Sequence, residues 1–151
     1  MRRSACAHKP GALPADKIVI RQARREDLKE CARVLHTREL AGASNWYPTA
    51  RVLSGCLGKY FLVAEREGRI LACSVVEPLK RGVIGWWFAV RKDARGQGVG
   101  SALMDELERT AKKEGKYFFL VYSKAGTQAV EFYRKRGYAK GQDFTELIKG
   151  L

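Results

Sequence analysis

Three alternating glycines, Gly96, Gly98 and Gly100, stand between an apolar strand-like run, Val83 to Val90, and an amphipathic run that begins at Val99. A chain built this way must leave a strand, turn tightly and enter a helix. Glycine permits positive φ and lets a ligand approach without a Cβ in the way, so successive N–H groups can converge on an anion. The first turn of the following helix adds unpaired donors and the positive end of the macrodipole. Arg95 places a full charge beside them. The segment Arg95-Gly96-Gln97-Gly98-Val99-Gly100 therefore reads as an anion cradle. It is not a Walker A loop, since no Lys stands at the required place, and it breaks the dinucleotide fingerprint, whose third position would be Ser101 or Leu103.

The flanks supply the architecture. Val99, Leu103, Leu107 and Ala111 recur at i+4, with Ala102 widening the stripe and Gly115 ending the helix. Tyr117 to Tyr122 is continuously apolar and predicts a central strand covered on both faces. Strand, helix and strand in this order imply a parallel crossover. Upstream, Ile18 to Ala23 predicts a strand, and a helix opening at Arg24–Asp27 carries Leu28, Cys31, Ala32, Leu35 and Leu40 on one face. Ala41 to Tyr47 is a loop, and Pro48 opens a short helix through Leu57. Tyr60–Glu65, a Glu67-Gly68 turn and Ile70–Val76 form a hairpin, and a turn from Pro78 to Gly82 leads to the third strand of a meander. Thr127 to Arg136 predicts a last helix, and Tyr138 with Phe144 to Ile148 supplies closing strands. Residues 1–16 are basic, contain two prolines and lack periodicity, which predicts a flexible tail before a single domain over 17–151.

With 151 residues, 46% of them hydrophobic, the chain can bury a continuous core. Cys6, Cys31, Cys56 and Cys73 lack metal-ligand spacing and no signal peptide precedes them, so a reduced, cytoplasmic protein without a metal is expected. No apolar run reaches the ~20 residues of a membrane span. The net charge of +13 comes from Lys and Arg dispersed through the chain, which predicts a solvated basic surface.

Two stretches, Phe88 to Met104 and Ala129-Val130-Glu131-Phe132-Tyr133-Arg134-Lys135-Arg136-Gly137-Tyr138, resemble the GNAT N-acetyltransferases, and the resemblance extends over roughly Ile18 to Leu151. It implies an α/β (α+β) fold: a central mixed, mostly antiparallel sheet of about six to seven strands, flanked by about four helices, with one parallel β-α-β crossover. It implies acetyl-coenzyme A as acyl donor. Phe88, Ala89 and Val90 would meet the pantetheine arm, and Arg95, Gly96, Gln97, Gly98, Val99, Gly100 and Ser101 the pyrophosphate. Tyr133 matches the family's Phe-Tyr-x-x-x-Gly-Phe/Tyr motif and would protonate the departing thiolate, since a phenol of pKa ~10 keeps its proton at neutral pH. Asn45, Trp46 and Tyr47 fall where the family shapes its acceptor cleft. Trp86 and Trp87 point to opposite faces of a strand, so one faces the core and the other the cleft.

The chain departs from the family in two places. Gly126 stands where many relatives carry an Asn that bonds the cofactor arm, and Trp86-Trp87-Phe88 offers no general base. Glu77 beside Pro78 reads as a solvated turn residue, and His36 as a boundary residue. A free amine must attack, and holding a lysine-type amine neutral at pH 7 costs roughly 4 to 5 kcal/mol, against about 1 for an α-amine. The expected activity is acetyl transfer to an amine of a protein or small molecule, by a monomer or homodimer. The positive charge mildly favours an acceptor with an acidic portion. A coenzyme A-binding module without catalysis is the alternative. A nucleic-acid-binding domain is the weaker one, because it leaves both motifs unexplained.

Overall fold

The computed structural model describes residues 17–41, 46–143, 145 and 147–150. They fall into two compact units that divide between Val121 and Tyr122. The first unit holds β1 (Val19–Gln22), α1 (Leu28–Leu35), α2 (Ala50–Ser54), β2 (Phe61–Arg66), β3 (Arg69–Pro78), β4 (Gly82–Val90), α3 (Val99–Lys113) and β5 (Phe118–Val121). The second holds α4 (Gln128–Lys135).

The sheet order is β1-β2-β3-β4-β5. The first four strands pair antiparallel and β4 pairs parallel with β5, so α3 is the helix of the expected crossover. The mostly antiparallel α/β class is as expected, with five strands among the described residues instead of six to seven. In the stretch expected to close the sheet, Phe144 and Glu146 lie outside the described residues and the others form no strand. Leu147 and Ile148 are exposed there, so they bury no apolar row of the kind that fixes strand register.

Burial on both faces belongs to β2 and β3, not to β5. Phe61, Val63, Cys73, Val75 and Ala89 face Leu28, Cys31, Val34, Leu35 and Leu53 of α1 and α2 in one core cluster. The alternating residues Leu62, Ala64, Ala72 and Ser74 are buried as well, and α3, which contacts β1 to β4, buries Val99, Leu103, Met104, Leu107 and Ala111. The run Tyr117 to Tyr122 was expected to be central, yet β5 ends the described sheet and Phe118 is half exposed. Its apolarity is spent on local contacts instead. The Phe118 ring lies so close to Gly82 that a Cβ there would come within 2.4 Å of it, and the Arg81 guanidinium sits 5.0 Å from the Tyr117 ring centroid.

The helix expected from Arg24 is split. Arg25–Asp27 forms a 3-10 turn before α1, and Leu40 belongs to a separate 3-10 turn, Arg38–Leu40. Asp27 explains the first boundary. Its Oδ2 accepts from the Arg24 N–H at 2.7 Å, and its carboxylate receives Arg21 Nη1 and Nη2 at 2.6 and 3.0 Å. Arg21 Nε also donates to Glu65 on β2 at 2.7 Å, so one guanidinium ties β1 to both the helix entry and the neighbouring strand. The α2 helix is shorter than expected, beginning after Thr49, whose hydroxyl accepts from the Val52 N–H at 3.4 Å.

The Arg21 guanidinium, opposed in part by burial, holds the Asp27 carboxyl below the usual carboxylate range. A depressed folded-state pKa gives stability that is fully present above the unfolded value near ~3.9 and is lost as the pH falls from there through the lower folded value. Asp27→Asn is expected to cost about 3 kcal/mol at pH 7, and the deficit should shrink towards pH 3. Urea melts at the two pH values check this, and an equal deficit at both would assign the cost to something other than the charge pair.

Candidate functional site

The β4 strand positions the site. It pairs with β3 from Val83↔Pro78 to Val90↔Ala72, but with β5 only from Gly82↔Phe118 to Gly85↔Val121. Beyond Gly85 it continues for five residues while β5 has ended. The irregularity sits at the same point, since Gly85 opposes Val76 and Trp87 opposes Val75, leaving Trp86 as an extra residue in the ladder.

After Val90 a 3-10 turn, Lys92–Ala94, leads into the glycine segment and then α3. Gly96 has φ +72° and Gly98 φ +79°, both in the left-handed region that a Cβ disfavours. A Cβ at either would meet no atom within 4 Å, so open space lies on that side of the turn. Gly100 lies within the first turn of α3. The Gly98 carbonyl accepts the Ala102 N–H at 2.9 Å. Among the described residues, the N–H groups from Gly96 to Ser101 have no acceptor. They form a row of donors at the positive end of a 15-residue helix.

The side chains around this row are tied back. Arg95 Nε donates to the Val90 carbonyl at 3.1 Å, and its Nη1 lies 3.3 Å from Glu39. Gln97 Nε2 donates to the Asp93 carbonyl at 2.9 Å while its Oε1 accepts from Arg66 at 3.2 Å. Asp93 pairs with Arg69 at 2.6 Å and with Arg91 at 3.4 Å, and Arg91 reaches Glu30 at 2.6 Å. The Arg69 guanidinium chiefly holds the Asp93 carboxyl below its ordinary value. Gln97 therefore offers the segment its backbone, its side chain being committed to the β2–β3 hairpin.

Other candidates gather on the α1 and α2 side of β4. Trp87 packs against the core cluster, while Trp86 is 50% exposed. Trp46 is also half exposed, its ring 5.9 Å from that of Trp87 at a 40° tilt. Tyr47 stacks on His36 at 4.0 Å, which fixes the chain entering α2 against the end of α1. Asn45 lies outside the described residues. Phe88 and Val90 are half-buried and Ala89 is in the core.

Tyr133 lies in α4 of the second unit, with the rings of Phe132 and Tyr138 each 5.3 Å from its own. It is buried, and burial pushes its phenol up to about 12 against a smaller opposing effect of Arg136.

Two relationships escaped the sequence reading. Glu77 is in β3, opposite Ile84, and not in a solvated turn. Its Oε2 accepts from the Trp86 indole Nε1 at 2.6 Å. The alternation Cys73, Val75, Glu77 carries the signal for its face. The His36–Tyr47 stack spans a loop and has no sequence signal.

Residues 58–140 match the family model described as an acetyltransferase (GNAT) domain. The chain is 32% identical over 81 residues to an amino-acid acetyltransferase of Pseudomonas putida, an alignment covering 52% of this chain and 18% of the relative. The match thus spans less than a fifth of the length of these curated relatives. Among solved structures, Ard1 from Thermoplasma volcanium superposes with a TM-score of 0.72 at 22% identity, over 83% of this chain and 84% of that one. An N-acetylglutamate synthase from Neisseria gonorrhoeae, complexed with coenzyme A and N-acetyl-glutamate, gives 0.68 at 20% identity over 80% and 28%. At these identities the structures speak for the fold, and the family model speaks for descent: the chain belongs to the GNAT acetyltransferase family.

Proposed function

We propose that this protein transfers an acetyl group from acetyl-coenzyme A to a primary amine by direct attack of the amine on the thioester in a ternary complex. The observation that carries the reading is the continuation of β4 past β5 into a row of unsatisfied amides at the start of α3. An extended arm ending in a pyrophosphate fits both parts. Phe88, Ala89 and Val90 would line the arm. The N–H groups of Gly96 to Ser101 would hold the pyrophosphate, with the open side of Gly96 and Gly98 leaving it room. Arg95 is within reach as a counter-charge once it releases Glu39.

The donor arrives with its acyl group already activated, so the protein's work is to bind, orient and manage protons. Tyr133 is assigned the proton delivered to the departing thiolate, while the protons that the amine sheds pass to solvent water, which also reprotonates the phenol. Its raised phenol pKa keeps that proton in place throughout the neutral range. The relatives named as amino-acid acetyltransferases support an amine acceptor.

Incubation with acetyl-coenzyme A and a panel of amines, followed by free-thiol release, tests the reading directly, and cofactor binding without turnover on any amine would favour a coenzyme A-binding module instead. Tyr133→Phe is expected to lower kcat by roughly a hundredfold while changing acetyl-coenzyme A affinity less than twofold. Unchanged kcat would remove Tyr133 from the chemistry. The acid role also predicts that kcat is not lost as the pH rises through 10, because the phenol is pushed up to about 12; a kcat–pH profile reads this out. Gly98→Ala should cost about 1 to 2 kcal/mol of stability from the positive φ alone, and should weaken coenzyme A binding by calorimetry beyond any effect of Gly58→Ala, a surface control.

A further inference from the structure

The three tryptophans of the chain, Trp46, Trp86 and Trp87, lie around one place in the sheet. Trp87 opposes Val75, and Glu77 lies two residues further along β3, so all three share the face towards α1 and α2. The extra residue at Trp86 lets its indole reach the Glu77 carboxylate on that face. Trp46 closes over Trp87 from the chain that leads into α2. Cys56, just beyond α2, has its thiol pushed up by burial and, to a smaller extent, by the Glu77 charge. Among the described residues, Glu77 Oε1 has no hydrogen-bond partner. The cluster adjoins Gly85, where the β4–β5 pairing stops.

We infer that the acceptor is a monocationic amine carried on an aromatic or bulky apolar body, with its ammonium on the Glu77 carboxylate and its body against Trp46, Trp86 and Trp87. This rests on the acetyltransferase reading above. Indoles offer large rigid apolar area and a negative π-face, so they reward an apolar group and a cation together. The indole bond orients the carboxylate and leaves its other oxygen for the ligand. An acidic amine would bring a second carboxylate towards Glu77, and a polyamine would carry extra charges onto a body of net charge +13. The local arrangement thus selects differently from the overall charge, which had favoured an acceptor with an acidic portion.

Because all three tryptophans belong to this cluster, emission excited selectively at the indoles, beyond tyrosine absorption, reports on it alone. Titration with 2-phenylethylamine, without acetyl-coenzyme A, is expected to give a saturable change in emission. Glu77→Gln, an exposed conservative change, should weaken that binding at least tenfold, and Trp46→Phe should weaken it severalfold through a group outside the sheet. Glutamate and spermine should give no saturable change. The inference is overturned by no saturable change with 2-phenylethylamine, by equal affinity in Glu77→Gln and Trp46→Phe, or by tighter binding of glutamate. Thiol release measured in parallel separates the two readings. Turnover of glutamate but not of 2-phenylethylamine would sink the acceptor class and leave the transferase standing. Saturable binding with no thiol release from any amine would sink the transferase reading and leave the binding site standing.

Discussion

The unequal pairing of β4 governs the first unit. On one side β4 is held along nearly its whole length by β3, and on the other β5 holds it through four residues only. Full pairing on the second side would consume the strand's polar edge before it reached the glycine segment. Partial pairing keeps β4 rigid, because its β3 partner is buried on both faces by α1, α2 and α3. A rigid strand with part of one edge beyond its neighbour can receive an extended ligand without moving the core. A 3-10 turn and the glycine segment then lead the chain from this strand into the donor row at α3.

The electrostatics of that row come from the backbone. Arg66, Arg69, Arg91 and Arg95 surround the segment, and each is engaged: with Gln97, Asp93, Glu30 or Asp93, and Glu39 or the Val90 carbonyl. Paired surface charges contribute little net field. Oriented amides at a helix start have no counter-ion of their own and need no reorganisation to meet an anion. The protein's large positive charge would act over distance on anionic ligands, while the amides of Gly96 to Ser101 are the donors that an anion would meet at close range.

The sequence made the meander, the crossover and the glycine segment legible because each depends on local rules: alternation, i+4 spacing and positive-φ turns. It misplaced what depends on partners distant in sequence. The run Tyr117 to Tyr122 looks central by composition, but a strand's place is set by which neighbour takes its edge, and here the central role went to β2 and β3. Helix α1 is shorter than its apolar stripe suggests, because the competing bonds that the Asp27 carboxylate accepts from Arg21 and from the Arg24 N–H are not visible from the local sequence. At the candidate site the glycines and Trp87 could be found from pattern. Glu77 continues the alternation of Cys73 and Val75, but the neighbouring Pro78 suggests a turn, and its bond to Trp86 depends on an irregularity in β4 that no pattern announces.

That irregularity amounts to a phase shift in the middle of a strand. Side chains alternate with a period of two, so one inserted residue reverses the facing of everything on one side of it relative to the other. Residues Gly82 to Gly85 answer to β5, and Trp87 to Val90 answer to β3 and the core alone. The two halves thus obey separate packing rules although they share one backbone: one is paired on both edges, and the other has no β5 partner. A change in the half that meets β5 can therefore be absorbed without rotating the half from Trp87 to Val90, and Trp86 is the joint that gives the two halves this independence.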